Sequence, residues 1–90
     1  MTMVRLRRGT NVDAAFNLRL GERLRQLRYQ HKLLLQDVDD MTGMRYDLLS
    51  RVERGETRVS VFELLSLASI YEISLEKLLE GLWEYLEFSE

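Results

Sequence analysis

Ninety residues with a net charge of −2 and no cysteine allow one domain and exclude disulfide staples and thiolate metal sites. A single histidine, His31, leaves too few imidazoles for a histidine-based metal site, and no apolar run reaches the length of a membrane span. With no proline, abundant leucine and little strand-type alternation, the chain reads as an all-α bundle, and without a signal-peptide pattern it is expected in the cytoplasm.

Charge is graded along the chain. Residues 1–32 carry about +6, residues 33–60 about −2 and residues 61–90 about −6. Such a gradient either steers one end of the molecule toward phosphates or marks two solvated faces of opposite sign. Residues 1–12 form a basic arm with Arg5, Arg7 and Arg8 and no apolar period. It reads as a mobile segment that lies along a minor groove or phosphates, or as a plain unstructured start.

Asn11 or Asp13 is placed to cap a first helix. Phe16, Leu20, Leu24 and Leu27 then recur at helical spacing. Arg28 lies beside this stripe, closer to the core than a surface arginine prefers. Lys32 falls near the helix's negative pole, where a cation is stabilised, and His31 reads as a helix-end residue rather than a ligand. Leu33, Leu34 and Leu35 form an apolar connector.

Residues 35–54, LQDVDDMTGMRYDLLSRVER, suit two short helices around a sharp turn. Val38 and Met41 point inward from the first helix. Gly43 breaks the pattern and tolerates the left-handed backbone of a tight turn. Leu48, Leu49 and Val52 form the inner side of the second helix, and Tyr46, Asp47, Ser50, Arg51 and Arg54 its outer side. A short, braced helix with an arginine-bearing outer face fits a DNA major groove; the same spacing also describes an ordinary αα-hairpin. Asp37, Asp39 and Asp40 come from one short helix without a second ligand set, so they read as a solvated acidic face and not as a metal site.

Gly55 is placed as the C′ residue of the third helix, and residues 56–59 form a loop carrying Arg58. Ser60 and Glu63 make a capping box for a fourth helix that runs to about Tyr71, with Leu64, Leu67, Ala68 and Tyr71 inward. Ser74 caps a fifth, with Leu75, Leu78 and Leu79 inward. Either that helix continues through Gly81, or Gly81 ends it and an extended tail follows. Leu82, Trp83, Tyr85, Leu86 and Phe88 are more apolar surface than one small domain covers, and are assigned to contact with a second copy of the chain; the alternative is a tail folded onto its own domain. The expected organisation is an arm at 1–12, a helical domain at 13–81 and a dimerising tail at 82–90.

Taken in order, LGERLRQLR at 20–28, MTG at 41–43, LLSRVERG at 48–55, SVFELLSLA at 60–68 and ISLEKLL at 73–79 resemble the XRE family of lambda-repressor/Cro-like helix-turn-helix regulators. The resemblance spans about residues 18–80. It implies a five-helix, lambda-repressor-like domain whose second and third helices read DNA. It also implies a structural salt bridge between Arg28 and Glu53. Tyr46, Asp47, Ser50 and Arg51 match positions facing base edges or nearby phosphates, and Arg54 and Arg58 match positions near the backbone. The expected function is a sequence-specific, double-stranded-DNA-binding transcriptional regulator, a repressor acting as a homodimer, with no cofactor.

The sequence departs from the family pattern in three places. Leu34 and Leu35 replace a capping Ser or Thr and the following Gln. Asp39 replaces a small alanine where the two helices meet, so it either turns outward or splays them. Arg45 replaces the cap of the third helix, while adding positive charge near the groove. Asp37, Asp39, Asp40 and Asp47 near the reading face repel phosphates. The alternative function is therefore a protein-interaction module of antitoxin or antirepressor type, with a protein partner and weakened DNA binding. An enzyme is not indicated: no nucleophile–base–orienter set and no phosphate-cradling glycine loop is present.

Overall fold

A computed structural model describes residues 5–6, 11–82 and 88–89, with side chains from residue 14 to residue 82. It contains five helices, α1 (Asn11–Gln30), α2 (Leu35–Thr42), α3 (Tyr46–Glu53), α4 (Val61–Ile70) and α5 (Leu75–Leu78). Leu20 and Leu24 of α1, Val38 of α2, Leu49 and Val52 of α3, Leu64, Leu67, Ala68 and Tyr71 around α4, and Leu78 of α5 are buried in one cluster. Each fully buried Leu contributes ~1.5–3 kcal/mol through loss of apolar contact with water.

The long first helix opens at Asn11 and sets the frame for α3. The two helices cross at Gly21. A Cβ there would lie 2.5 Å from the Val52 carbonyl oxygen and 2.6 Å from that of Glu53, so any side chain would force the helices apart. The sequence analysis gives this glycine no role, because close approach to a segment thirty residues away leaves no local signature. Helix α1 ends in a Schellman turn: Lys32 N donates to Tyr29 O at 2.9 Å and Leu33 N to Arg28 O at 3.1 Å. Lys32 sits in the left-handed region at φ 55°, and Glu72 closes α4 in the same conformation.

Between α2 and α3 the chain turns at Gly43, φ 78°, with Gly43 N donating to Asp39 O at 2.8 Å. The expected inward pair on α2 is half right. Val38 is fully buried, but Met41 is 54% exposed. The inner row of α2 runs through Leu35 and Val38, and the turn then brings Met44 into the core in place of Met41. Met44 N donates to Thr42 Oγ1 at 3.0 Å, fixing that entry.

Helix α4 opens with the expected capping box. Glu63 N donates to Ser60 Oγ at 3.1 Å, and Ser60 N donates to Glu63 Oε1 at 3.0 Å. Ser74 caps α5, accepting from Lys77 N at 3.0 Å. The fifth helix ends before Gly81, which has φ 82°. Of the two alternatives at this point, continuation through Gly81 is excluded. Leu82 then folds back and is 3% exposed in the domain's own core. This corrects its assignment to a partner-facing surface: a side chain already filling the core offers nothing to a second copy. Arg23 of α1 holds this end, its Nη1 donating to Leu78 O at 2.9 Å and to Glu80 O.

Two-residue strands β1 (Arg5–Leu6) and β2 (Phe88–Ser89) pair antiparallel, Arg5 opposite Ser89 and Leu6 opposite Phe88. The arm, expected without regular structure, thus shares backbone pairing with the tail, each satisfying the other's peptide groups. Trp83, Tyr85 and Leu86 lie outside the described residues, and of Phe88 only the backbone is described.

Candidate nucleic-acid interface

Helix α3 is held from behind by a buried ion pair. Arg28 Nε donates to Glu53 Oε2 at 2.7 Å and Nη2 to Oε1 at 2.8 Å. The pair is almost sealed, at 7% and 5% exposed. Arg28 Nη1 also donates to Leu33 O at 3.0 Å, and Arg25 Nε lies 3.5 Å from Glu53 Oε1. The hydrogen bonds that Arg28 donates to Glu53 stabilise the charged guanidinium and raise the Arg28 pKa against the opposing effect of burial. The end of α3 is therefore tied to the end of α1 by a planar, two-bonded contact that a lysine cannot reproduce.

The front of α3 is capped from α2. Arg45 occupies the N-cap position and makes no side-chain cap. Asp39 Oδ2 instead accepts from Tyr46 N at 2.9 Å. Asp39, expected to turn outward or to splay the helices, is half-buried, and its carboxylate instead replaces the missing cap and joins the two helices of the motif. Asp47 Oδ1 accepts from Leu48 N at 3.1 Å. A carboxylate also repairs the uncapped start of α2, where Leu34 N donates to Asp37 Oδ2 at 2.7 Å. Asp40 accepts from Gln36 at 3.1 Å. The acidic residues of α2 are thus engaged by their own chain. Among the described residues no cluster of metal-ligating side chains is present. A cap supplied seven residues upstream, for a helix whose own N-cap residue is arginine, is the signal that would have identified Asp39.

Tyr46, Asp47 and Arg51 of α3 are exposed, and Ser50 is half-buried. The arginines around them differ in how firmly they are held. Arg54 Nε donates to Glu56 Oε2 at 2.8 Å, its Nη2 to Glu56 Oε1 at 3.1 Å and its Nη1 to Ser50 Oγ at 2.6 Å. The bond from Arg54 lowers the Glu56 pKa, and Arg51 adds to this from nearby. Arg45 Nε lies 3.6 Å from Asp47 Oδ1, an exposed contact. Such a surface pair contributes ~1 kcal/mol or less. Arg58 is exposed in the loop after α3. Arg51 makes no hydrogen bond or ion pair with the described residues, so its five donors are open to a ligand. The structure therefore brings Arg45, Tyr46, Asp47, Ser50, Arg51 and Arg54 together on or beside one helix, with Ser50 and Arg54 already bonded to each other.

A short exposed helix, braced across a glycine turn by a second helix and tied at its far end to a third, is the framework of a helix-turn-helix domain. The chain belongs to the XRE-like helix-turn-helix family of DNA-binding transcriptional regulators: the family model described as helix-turn-helix domain matches residues 19–80. It is 43% identical over 68 residues to the HTH-type transcriptional regulator DdrOP3 of Deinococcus deserti, a match covering 76% of this chain and 53% of that protein. The chain thus spans about half the length of that relative. Among solved structures it is similar to an HTH_3 family transcriptional regulator from Vibrio cholerae, with a TM-score of 0.69 and 28% identity over 74% of this chain and 38% of that one. It is similar also to the restriction-modification controller protein C.AhdI from Aeromonas hydrophila, with a TM-score of 0.68 and 31% identity over 71% of this chain and 97% of that one. No described helix is long and apolar enough to cross a membrane.

Proposed function

We propose that this protein is a sequence-specific regulator of transcription that binds double-stranded DNA as a two-fold dimer and acts as a repressor in the cytoplasm, on the nucleoid when bound. In this reading α3 enters the major groove, and two copies reach successive grooves about 34 Å apart. Arg51 donates two bonds to guanine O6 and N7, and Asp47 accepts from a cytosine amino group. Tyr46 and Ser50 face base edges or adjacent phosphates, and Arg45, Arg54 and Arg58 position the domain on the backbone. The observation that carries the reading is the open guanidinium of Arg51 on the exposed face of a helix fixed at both ends by Asp39 and Arg28.

The test is selection of bound duplexes by the purified chain, followed by fluorescence anisotropy on the selected site. Arg51→Ala is expected to lose ~1–3 kcal/mol and to relax preference at one base pair. Binding that is indifferent to Arg51 and to salt refutes the reading. The second reading, a protein-interaction module, draws support from Arg54 and Arg45 being held by Glu56 and Asp47 of their own chain. A stoichiometric protein partner in a pull-down, with no DNA retained at low salt, supports that reading instead.

A further inference from the structure

The groove between α2 and α4 has no part in DNA reading as described. Phe62 at its rim is 78% exposed, and Val61, Leu65 and Met41 are exposed beside it. Val61 and Leu65 lie one turn apart on α4. Phe62, Leu65, Met41 and Ile70 line a cavity of about 410 Å³. The surface is thus a protruding aromatic ring beside an open, uncharged groove of mixed apolar and hydroxyl lining. Every residue lining the groove is uncharged, although residues 61–90 carry about −6. Two of its three hydroxyls are engaged within the chain: Ser66 Oγ donates to Phe62 O at 3.2 Å, and Thr42 Oγ1 donates to Val38 O at 2.7 Å and accepts from Met44 N at 3.0 Å, while the third, on Ser69, is exposed at the edge. Covering the surface with apolar atoms strands neither of these donors.

We propose that this face is where two copies of the chain meet, about a two-fold axis, each Phe62 entering the other copy's groove. In such a contact a patch meets itself, so a charge at its centre would meet its like; this centre has none. Ring and groove sit side by side on one copy, the arrangement in which a single two-fold axis receives both rings. The area also suffices. The four exposed apolar side chains present on the order of 500 Å². Two copies therefore cover at most ~1,000 Å², the lower limit for a specific interface, so a weak dimer is expected. The inference rests on the dimeric reading above, and moves the contact from the C-terminal tail to α4.

Sedimentation equilibrium of the full chain, from about 1 µM to about 1 mM, tests it. The wild-type chain is expected to saturate as a dimer. Phe62→Glu is expected to raise the dissociation constant ~100-fold, because the anchor ring is lost on both sides at once. Leu65→Ser is expected to weaken the dimer less, and Trp83→Ser to leave it intact. Phe62 and Leu65 are exposed, so the helical circular dichroism of Phe62→Glu and Leu65→Ser remains as in the wild type, and the same measurement on Trp83→Ser separates lost contact from lost fold. A wild-type chain that stays monomeric throughout, a dimer indifferent to Phe62→Glu, or one abolished by Trp83→Ser overturns the proposal. Failure of the DNA reading is distinguished on a single half-site: Phe62→Glu keeps half-site binding there, whereas a dimeric chain that binds no DNA sinks the regulator and leaves this interface standing.

Discussion

Replacing Glu53 by methionine removes the carboxylate that Arg28 is built around. The guanidinium remains almost sealed from solvent, keeping its bond to Leu33 O at 3.0 Å and its place over the Tyr29 ring, 4.9 Å from the centroid, but no anionic partner of its own. A buried charge stripped of its partner costs ~3–5 kcal/mol. A 90-residue domain has roughly 5–13 kcal/mol in total, so the loss is a large share of what keeps it folded. At ~4–8 °C per kcal/mol, the midpoint falls by at least about 12 °C. Arg28→Met strands the carboxylate in turn, although Arg25, 3.5 Å away and 41% exposed, partly compensates it. The double variant Arg28→Met/Glu53→Met has no unpaired charge and fills the space with apolar atoms. It is expected to be more stable than Glu53→Met alone, a coupling of several kcal/mol. Urea denaturation of the four proteins measures this. A Glu53→Met chain within ~1 kcal/mol of wild type, or a double variant whose loss equals the sum of the singles, refutes the claim that the pair is a buried, mutually dependent unit.

Three further outcomes are expected. Asp39→Ala removes the cap of α3 and costs ~1 kcal/mol, with faster amide exchange at Tyr46 and a loss of DNA affinity similar across sequences; unchanged Tyr46 exchange refutes the capping role. Glu56→Gln releases the Arg54 fork, which tightens DNA binding at low salt and steepens the slope of log K against log salt by ~0.9 for one added phosphate contact; an unchanged slope shows that Arg54 does not reach the backbone. Because Arg54 lowers the Glu56 pKa, this difference is present above the ordinary carboxylate range and disappears as the pH falls through the lowered value. Tyr71, buried and pushed up to about 12 chiefly by burial, stays neutral in the folded chain while its unfolded counterpart ionises at 10. Its stabilising effect is complete below pH ~10 and is lost as the pH rises toward ~12, a change of ~2–3 kcal/mol. Tyr71→Phe should therefore remove the late step from a 295 nm titration, and removal of an ordinary step instead counts against the burial argument.

Much of the architecture was legible from spacing alone. The stripe from Leu20 to Leu27, the capping box at Ser60 and Glu63, and the break at Gly43 are local patterns, because helix period, cap geometry and left-handed turns depend on residues within a few positions of one another. The polar outer face of α3 and the five ordered motifs pointed to the family for the same reason. Met41, Met44, Leu82 and Asp39 were decided only in three dimensions. Whether Met41 or Met44 enters the core depends on how the chain leaves the Gly43 turn, and whether Leu82 is covered depends on the fold-back after Gly81. Asp39 looked like a defect in its own helix and proves to be the cap of the next. Gly21 carried no visible role until Val52 and Glu53 came against it. Each of these depends on a contact between segments, and side-chain period fixes which face a residue occupies but not what arrives to cover it.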